Sequence, residues 1–199
     1  SDDSLGAQPV NIRSNYITGS SFWAIGVARD YGETNGIKNG TLYVGYNVIE
    51  NFNTSGNLWA SGIHLREYAE NVTVEHNYIY DSTPDGVISA GILLWNQTAN
   101  NTIKENFIWD IDATAGILVW NQNRDITIND NFLYDIGEGN YTEADFLAGD
   151  GYGIVWWNSV DNTTLSGNSN VIINTLEDGV FVHGFGIKSG NCTMIGIGG

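Results

Sequence analysis

Residues 72–122 read VTVEHNYIYDSTPDGVISAGILLWNQTANNTIKENFIWDIDATAGILVWNQ, and they state one pattern twice. Val74, Asn77-Tyr78-Ile79-Tyr80-Asp81 and Ala90-Gly91-Ile92-Leu93-Leu94-Trp95-Asn96-Gln97 return as Ile103, Asn106-Phe107-Ile108-Trp109-Asp110 and Ala115-Gly116-Ile117-Leu118-Val119-Trp120-Asn121-Gln122. A repeat of this length governs the reading of the whole chain. Working outward, the Asn recurs at Asn15, Asn47, Asn77, Asn106, Asn131 and Asn170, at steps of 32, 30, 29, 25 and 39 residues. A Gly followed by Ile or Val recurs at Gly26, Gly62, Gly91, Gly116, Gly153 and Gly179. Cys192-Thr193-Met194-Ile195-Gly196-Ile197 reads as the start of a seventh unit.

The units hold short β-rich runs punctuated by Gly, Asn and Asp, with no amphipathic helical period. That excludes helix-containing solenoids. A propeller blade needs four strands in about 40 residues, and the tightest unit, 25 residues, holds only three short ones. Three strands and three turns per rung predict an all-β parallel β-helix of six to seven rungs. Its rungs lie about 4.8 Å apart and turn equivalent residues into columns. We expect an N-terminal extension over 1–9, then a single β-helix domain over 10–199 with a long loop at 136–152.

An apolar residue, Asn three later, Ile two after that and then a Gly-Ile strand resembles the right-handed parallel β-helix repeat of the pectate-lyase-like superfamily. The resemblance spans roughly residues 10–197 and implies a right-handed coil. It implies no single activity, because that superfamily includes lyases, hydrolases, epimerases, tailspikes and non-catalytic surface proteins. The last type fits this chain best.

Composition narrows the partners. A net charge of −16 argues against nucleic acid and anionic membranes, and no apolar run is long enough for a membrane span. Asn-x-Ser/Thr acceptor sites begin at Asn39, Asn53, Asn71, Asn96, Asn100, Asn140, Asn162 and Asn191, eight in all. Chance would give about 3.5. The excess points to an extracellular or cell-surface glycoprotein, although β-helix turns also favour Asn and Thr for their own sake. The single Cys192 makes no internal disulfide and is either a buried thiol or a link between subunits.

Each column carries its own expectation. The Asn column reads as a structural ladder, in which each side-chain amide satisfies the next. Strand alternation turns Tyr78, Tyr80, Phe107, Trp109, Phe132 and Tyr134 outward on one face and Trp95, Trp120 and Trp157 outward on another. Nine large aromatics on outer faces mark an interaction surface, for the sugars of a glycan or for a neighbouring subunit. Covering loops would be the bland explanation. Asp81, Asp110 and Asp135 form a third column, read either as turn acceptors or as oxygen ligands for calcium, as are Glu143, Asp145 and Asp150 in the long loop. No other cofactor is implied.

Catalytic signals are sparse. The best cluster is Asp30, His64 and Arg66, which counting from Gly26 and Gly62 places on one outer face beneath Trp95. Bare rungs at either end would pair head to tail and build open polymers, and a truncated solenoid would present the same ends. The expected function is therefore a structural, self-assembling subunit of an extracellular filament, sheath or surface layer, with itself as partner both head to tail and laterally. The alternative is a secreted protein that binds or cleaves polysaccharide at Asp30, His64, Arg66 and the Trp column.

Overall fold

The computed structural model describes residues 9–28, 41–52, 59–83, 88–137, 151–157, 165–176 and 179–183. Every regular element among them is a strand. The first triplet is Val10–Arg13 (β1), Tyr16–Thr18 (β2) and Trp23–Ala28 (β3), and the second is Leu42–Gly45 (β4), Val48–Glu50 (β5) and Trp59–Arg66 (β6). The third is Val72–Glu75 (β7), Tyr78–Ser82 (β8) and Ile88–Trp95 (β9), and the fourth is Thr102–Lys104 (β10), Phe107–Asp112 (β11) and Ala115–Trp120 (β12). Ile126–Asn129 (β13), Phe132–Gly137 (β14) and Tyr152–Trp157 (β15) form the fifth, and Leu165–Asn168 (β16), Val171–Thr175 (β17) and Val180–His183 (β18) the sixth.

Successive triplets stack in parallel into three six-stranded sheets. Sheet I runs from β1 to β16 through every first strand, sheet II from β2 to β17 and sheet III from β3 to β18. The chain is thus an all-β parallel β-helix. It has about four turns rather than six to seven; among the described residues the first and last triplets are paired on one side only, and four triplets lie between them. Counting one Asn per rung counts those half-paired end triplets as complete turns. The expected seventh rung and residues 1–8 lie outside the described residues. So does 138–150, the middle of the expected loop, whose first residues, Ile136 and Gly137, are instead the end of β14.

The interior is columns of branched aliphatics. Val44, Val74, Ile103 and Ile128 point in from sheet I, Ile49, Ile79, Ile108 and Leu133 from sheet II, and Ile63, Ile92, Ile117 and Ile154 from sheet III, in one cluster. Fully burying one such side chain contributes about 1.5–3 kcal/mol. β-branched residues suit this role because they fit the pleat and lose little rotamer freedom there.

Corners fall where single residues take a left-handed backbone. Ser14, Tyr46, His76, Glu105, Asp130 and Ser169 stand at positive φ between sheets I and II, as do Asn71, Asn100 and Asp125 on the approach to sheet I. Beside the first of these corners runs the Asn ladder. The Asn77 amide donates to Asn106 Oδ1 at 3.0 Å and to the Val44 carbonyl at 3.0 Å, while its own Oδ1 accepts from Asn47 Nδ2 at 2.9 Å. The same bond links Asn15 to Asn47 and Asn131 to Asn170. Buried polar groups at a turn are thereby satisfied by the neighbouring rung.

Glycine is required where β9 enters the core. A Cβ on Gly91 would lie 2.8 Å from the Gly116 carbonyl oxygen and 2.7 Å from Ile108. Gly26 does not belong to that column. Ile25 pairs with Ile63, so Gly26 stands opposite His64 and Ala28 opposite Arg66.

Candidate functional site

The three outer faces differ in chemistry. Sheet I carries polar columns such as Thr73, Thr102 and Thr127 beside Glu75 and Lys104, and Lys104 Nζ lies 2.6 Å from Glu75 Oε2. That is an ordinary solvated β surface.

Sheet II is apolar and open. One outward column is Tyr16, Val48, Tyr78, Phe107, Phe132 and Val171, and the other is Thr18, Glu50, Tyr80, Trp109, Tyr134 and Ile173. Tyr16 is 63% exposed, and Tyr78, Phe107, Tyr134, Val171 and Ile173 are each between 41% and 46% exposed. Rings stack along the axis: Tyr78 on Phe107 at 5.3 Å and 9°, Tyr80 on Trp109 at 4.4 Å and 10°, and Phe107 near Phe132 at 5.8 Å and 35°. Stacked this way, neighbouring rings cover one another's faces and turn their edges to solvent. Glu50 is the charged side chain of these two columns, and hydroxyls restrain it. It accepts from Tyr16, Tyr80 and Thr18, which holds its carboxyl below the usual range, while its hydrogen bond with Tyr80 pushes that phenol up to about 12.

The acidic column belongs to the same sheet. Pairing passes from Trp109 and Tyr134 to Ile111 and Ile136, stepping over Asp110 and Asp135. Asn51, Asp81, Asp110, Asp135 and Asn174 all stand at φ between 48° and 55°. Asn and Asp are the non-glycine residues best suited to that conformation, so backbone geometry alone accounts for the column. Asp135 Oδ1 accepts from Asn174 Nδ2 at 2.6 Å. Burial, then the charges of Asp110 and Asp135, push the neighbouring Asp112 carboxyl up. Among the described residues, the metal-type donors that lie within 4.8 Å of one another belong to Glu75, His76 and Glu105 instead. Lys104 already bridges that group, at 2.6 Å from Glu75 and 3.8 Å from Glu105. Glu143, Asp145 and Asp150 lie outside the described residues.

Sheet III is equally apolar, but buried. Leu93, Leu118 and Val155 are 0% exposed on its outer side, in a cluster with Trp120 at 7% and with half-buried Trp59, Trp95 and Trp157. Trp95, Trp120 and Trp157 do form one column, and Trp120 and Trp157 are 6.1 Å apart. Their outward direction follows from alternation; their burial does not. The aromatic residues counted together in the sequence therefore divide into an open face and a covered one.

One end of sheet III is polar. His64 is 1% exposed, edge-on to Trp23 at 5.0 Å and tilted against Trp95 at 6.2 Å. The Arg66 guanidinium lies over both indoles, at 5.1 and 5.5 Å, and reaches Glu67 at 2.7 Å. Burial, and secondarily the Arg66 charge, lower the His64 imidazole to about 3. A group that stays neutral through the ordinary pH range is poorly suited to acid–base chemistry. The register expected for the third member does not hold either. Arg66 stands opposite Ala28, two residues short of Asp30, which lies outside the described residues. The miscount arose from aligning Gly26 with Gly62.

Sequence reasoning missed a second set of buried amides at the corner between sheets III and I. Asn101 Oδ1 accepts from the Val72 N–H at 2.8 Å, and Asn123 Oδ1 accepts from the Thr98 N–H and hydroxyl at 2.9 and 2.8 Å. Their signal was present but weak: Asn101 and Asn123 each precede a strand by a few residues, as the ladder Asn residues do. Of the acceptor asparagines, Asn71, Asn96 and Asn100 are described, and all three sit at positive φ near this corner. Asn39, Asn53, Asn140, Asn162 and Asn191 lie outside the described residues. Scans against protein-family models, curated proteins and solved structures find no match.

Proposed function

We propose that the chain is a structural, self-assembling subunit of an extracellular layer or filament, and that the outer face of sheet II is its lateral contact with a second copy. The observation that carries this reading is the pair of stacked columns in which Tyr78, Phe107 and Tyr134 are exposed and Tyr80 and Trp109 half-buried. Exposed apolar patches of this kind mark interaction sites. Ring orientation favours protein over glycan as the occupant. Sugars stack on ring faces, and these rings cover each other's faces along the axis. A flat array of ring edges suits sheet-on-sheet packing at about 10 Å.

Size favours an array over a closed dimer. Six strands at about 4.8 Å spacing, bearing two outward columns, give a face of roughly 350 Å². A stable pair buries about 800 Å² per partner. Such a contact is weak alone and becomes firm only when repeated along an assembly. Asn71, Asn96 and Asn100 stand at the corner away from sheet II, so glycans there would leave the contact face free. Head-to-tail stacking of rungs would extend the same ladders between subunits.

Electron microscopy of the purified chain over a range of concentration and calcium tests this. Ordered sheets or filaments with a repeat near 4.8 Å are expected. Discrete particles under every condition would overturn the proposal.

A further inference from the structure

Polar atoms are satisfied almost throughout the described residues, and the exceptions fall in one place. Trp23 Nε1, Ser61 Oγ, both His64 ring nitrogens and Arg66 Nε are buried with no hydrogen-bond partner. All four residues lie on β3 and β6, where Trp23 pairs with Ser61 in register and its ring meets both His64 and the Arg66 guanidinium. The Trp23 ring lies across Gly26, where a Cβ would come within 2.9 Å of it. Indole, imidazole and guanidinium thus meet in one patch, with the indole ring lying in the space that a side chain at Gly26 would take. Buried polar groups without partners are costly and uncommon. Their concentration here calls for a ligand.

We propose that the Trp23, Ser61, His64 and Arg66 end of sheet III binds one ring of an uncharged polyhydroxylated compound, a neutral sugar or cyclic polyol. The donor and acceptor inventory selects that class. Trp23 Nε1 and Arg66 Nε only donate, a neutral imidazole offers one donor and one acceptor, and the Ser61 hydroxyl does both. Hydroxyl groups, which also do both, satisfy the whole set. A carboxylate or phosphate would leave the imidazole acceptor unpaired. It would also find its charge uncompensated, since Arg66 already pairs with Glu67 at 2.7 Å and the chain carries −16. A hydrocarbon would leave every one of these atoms unpaired. Trp23 and Trp95 supply apolar walls on either side of the Arg66 guanidinium. Arg66, with its side chain 25% exposed, is the route in from solvent. The site lies on sheet III and is independent of the contact proposed for sheet II.

The test is a titration of the full chain with glucose, galactose, mannose, N-acetylglucosamine and myo-inositol, with galacturonate as the charged counterpart, each to about 100 mM. The readouts are tryptophan fluorescence and the ¹⁵N shifts of the His64 imidazole. Saturable binding of at least one neutral compound, with movement of the His64 nitrogens, is expected, and galacturonate should bind no tighter than galactose. His64→Phe should weaken binding by about tenfold or more while raising the melting temperature, because it removes two unpaired nitrogens. Ser61→Ala should weaken binding without loss of fold, and it decides the matter if His64→Phe does not fold. The proposal is overturned if no neutral compound binds saturably, if the uronate binds tighter, or if Ser61→Ala binds as the unaltered chain does.

Discussion

The outer faces of sheets II and III are built from the same residue types in the same alternation, yet one is open and the other closed. Phe107 on sheet II is 41% exposed, whereas Leu118 on sheet III, one strand along the same turn, is 0% exposed. An outward apolar residue is therefore not by itself an interaction residue. What separates the faces is whether the column continues into a second packed cluster, as Leu93, Leu118, Val155 and Trp120 do. Sheet III consolidates the fold and carries a polar patch at one end. Sheet II leaves several of its rings exposed to solvent.

A matched pair of charge insertions should break the comparison most sharply. Leu118→Asp buries an unpaired carboxylate and should cost about 4 kcal/mol or prevent folding. Phe107→Asp, on the open face, should cost about 1 kcal/mol or less. Chemical denaturation of both variants checks the difference, and equal losses would dissolve the distinction between the faces.

Acid sharpens it next. The folded His64 titrates at about 3 against an ordinary 6.5, so between those values the unfolded chain binds a proton that the folded chain does not. Stability from this group is complete above about pH 6.5 and falls as pH drops towards 3, by up to about 4 kcal/mol. Subtracting the pH profile of His64→Phe from that of the unaltered chain should isolate this loss. Parallel profiles would mean that His64 is not buried neutral.

The smallest effect concerns the rim of sheet II. Asp110 stands at φ 52°, a conformation glycine adopts freely, so Asp110→Gly should change stability by no more than about 1 kcal/mol, with a gain where strain outweighs chain entropy. A loss of several kcal/mol, or one that calcium reverses, would instead mark the Asp column as a ligand set.

Much of this molecule is legible in its sequence because stacking makes every rung repeat the same physical problem. The ladder from Asn15 to Asn170 and the inward Ile and Val columns follow from period and alternation alone. Coverage does not follow from them: Trp95, Trp120 and Trp157 could be placed outward but not as half-buried or buried. Register failed where the repeat is least regular. In the first rung Gly26 mimics the Gly column, and the mimicry carried Asp30 into a site with His64 and Arg66. Trp23 and Ser61, which complete the unsatisfied patch, gave no sequence signal, since neither recurs from rung to rung.

Sedimentation velocity on the unaltered chain and on the triple variant Tyr78→Ser, Phe107→Ser, Tyr134→Ser, across a wide concentration series, tests the central claim most directly. The unaltered chain should show sedimentation coefficients that rise with concentration. The variant should stay folded and sediment as a single small species throughout. Association of the variant equal to that of the unaltered chain, or no association by either, would contradict the assignment of sheet II as the assembly surface.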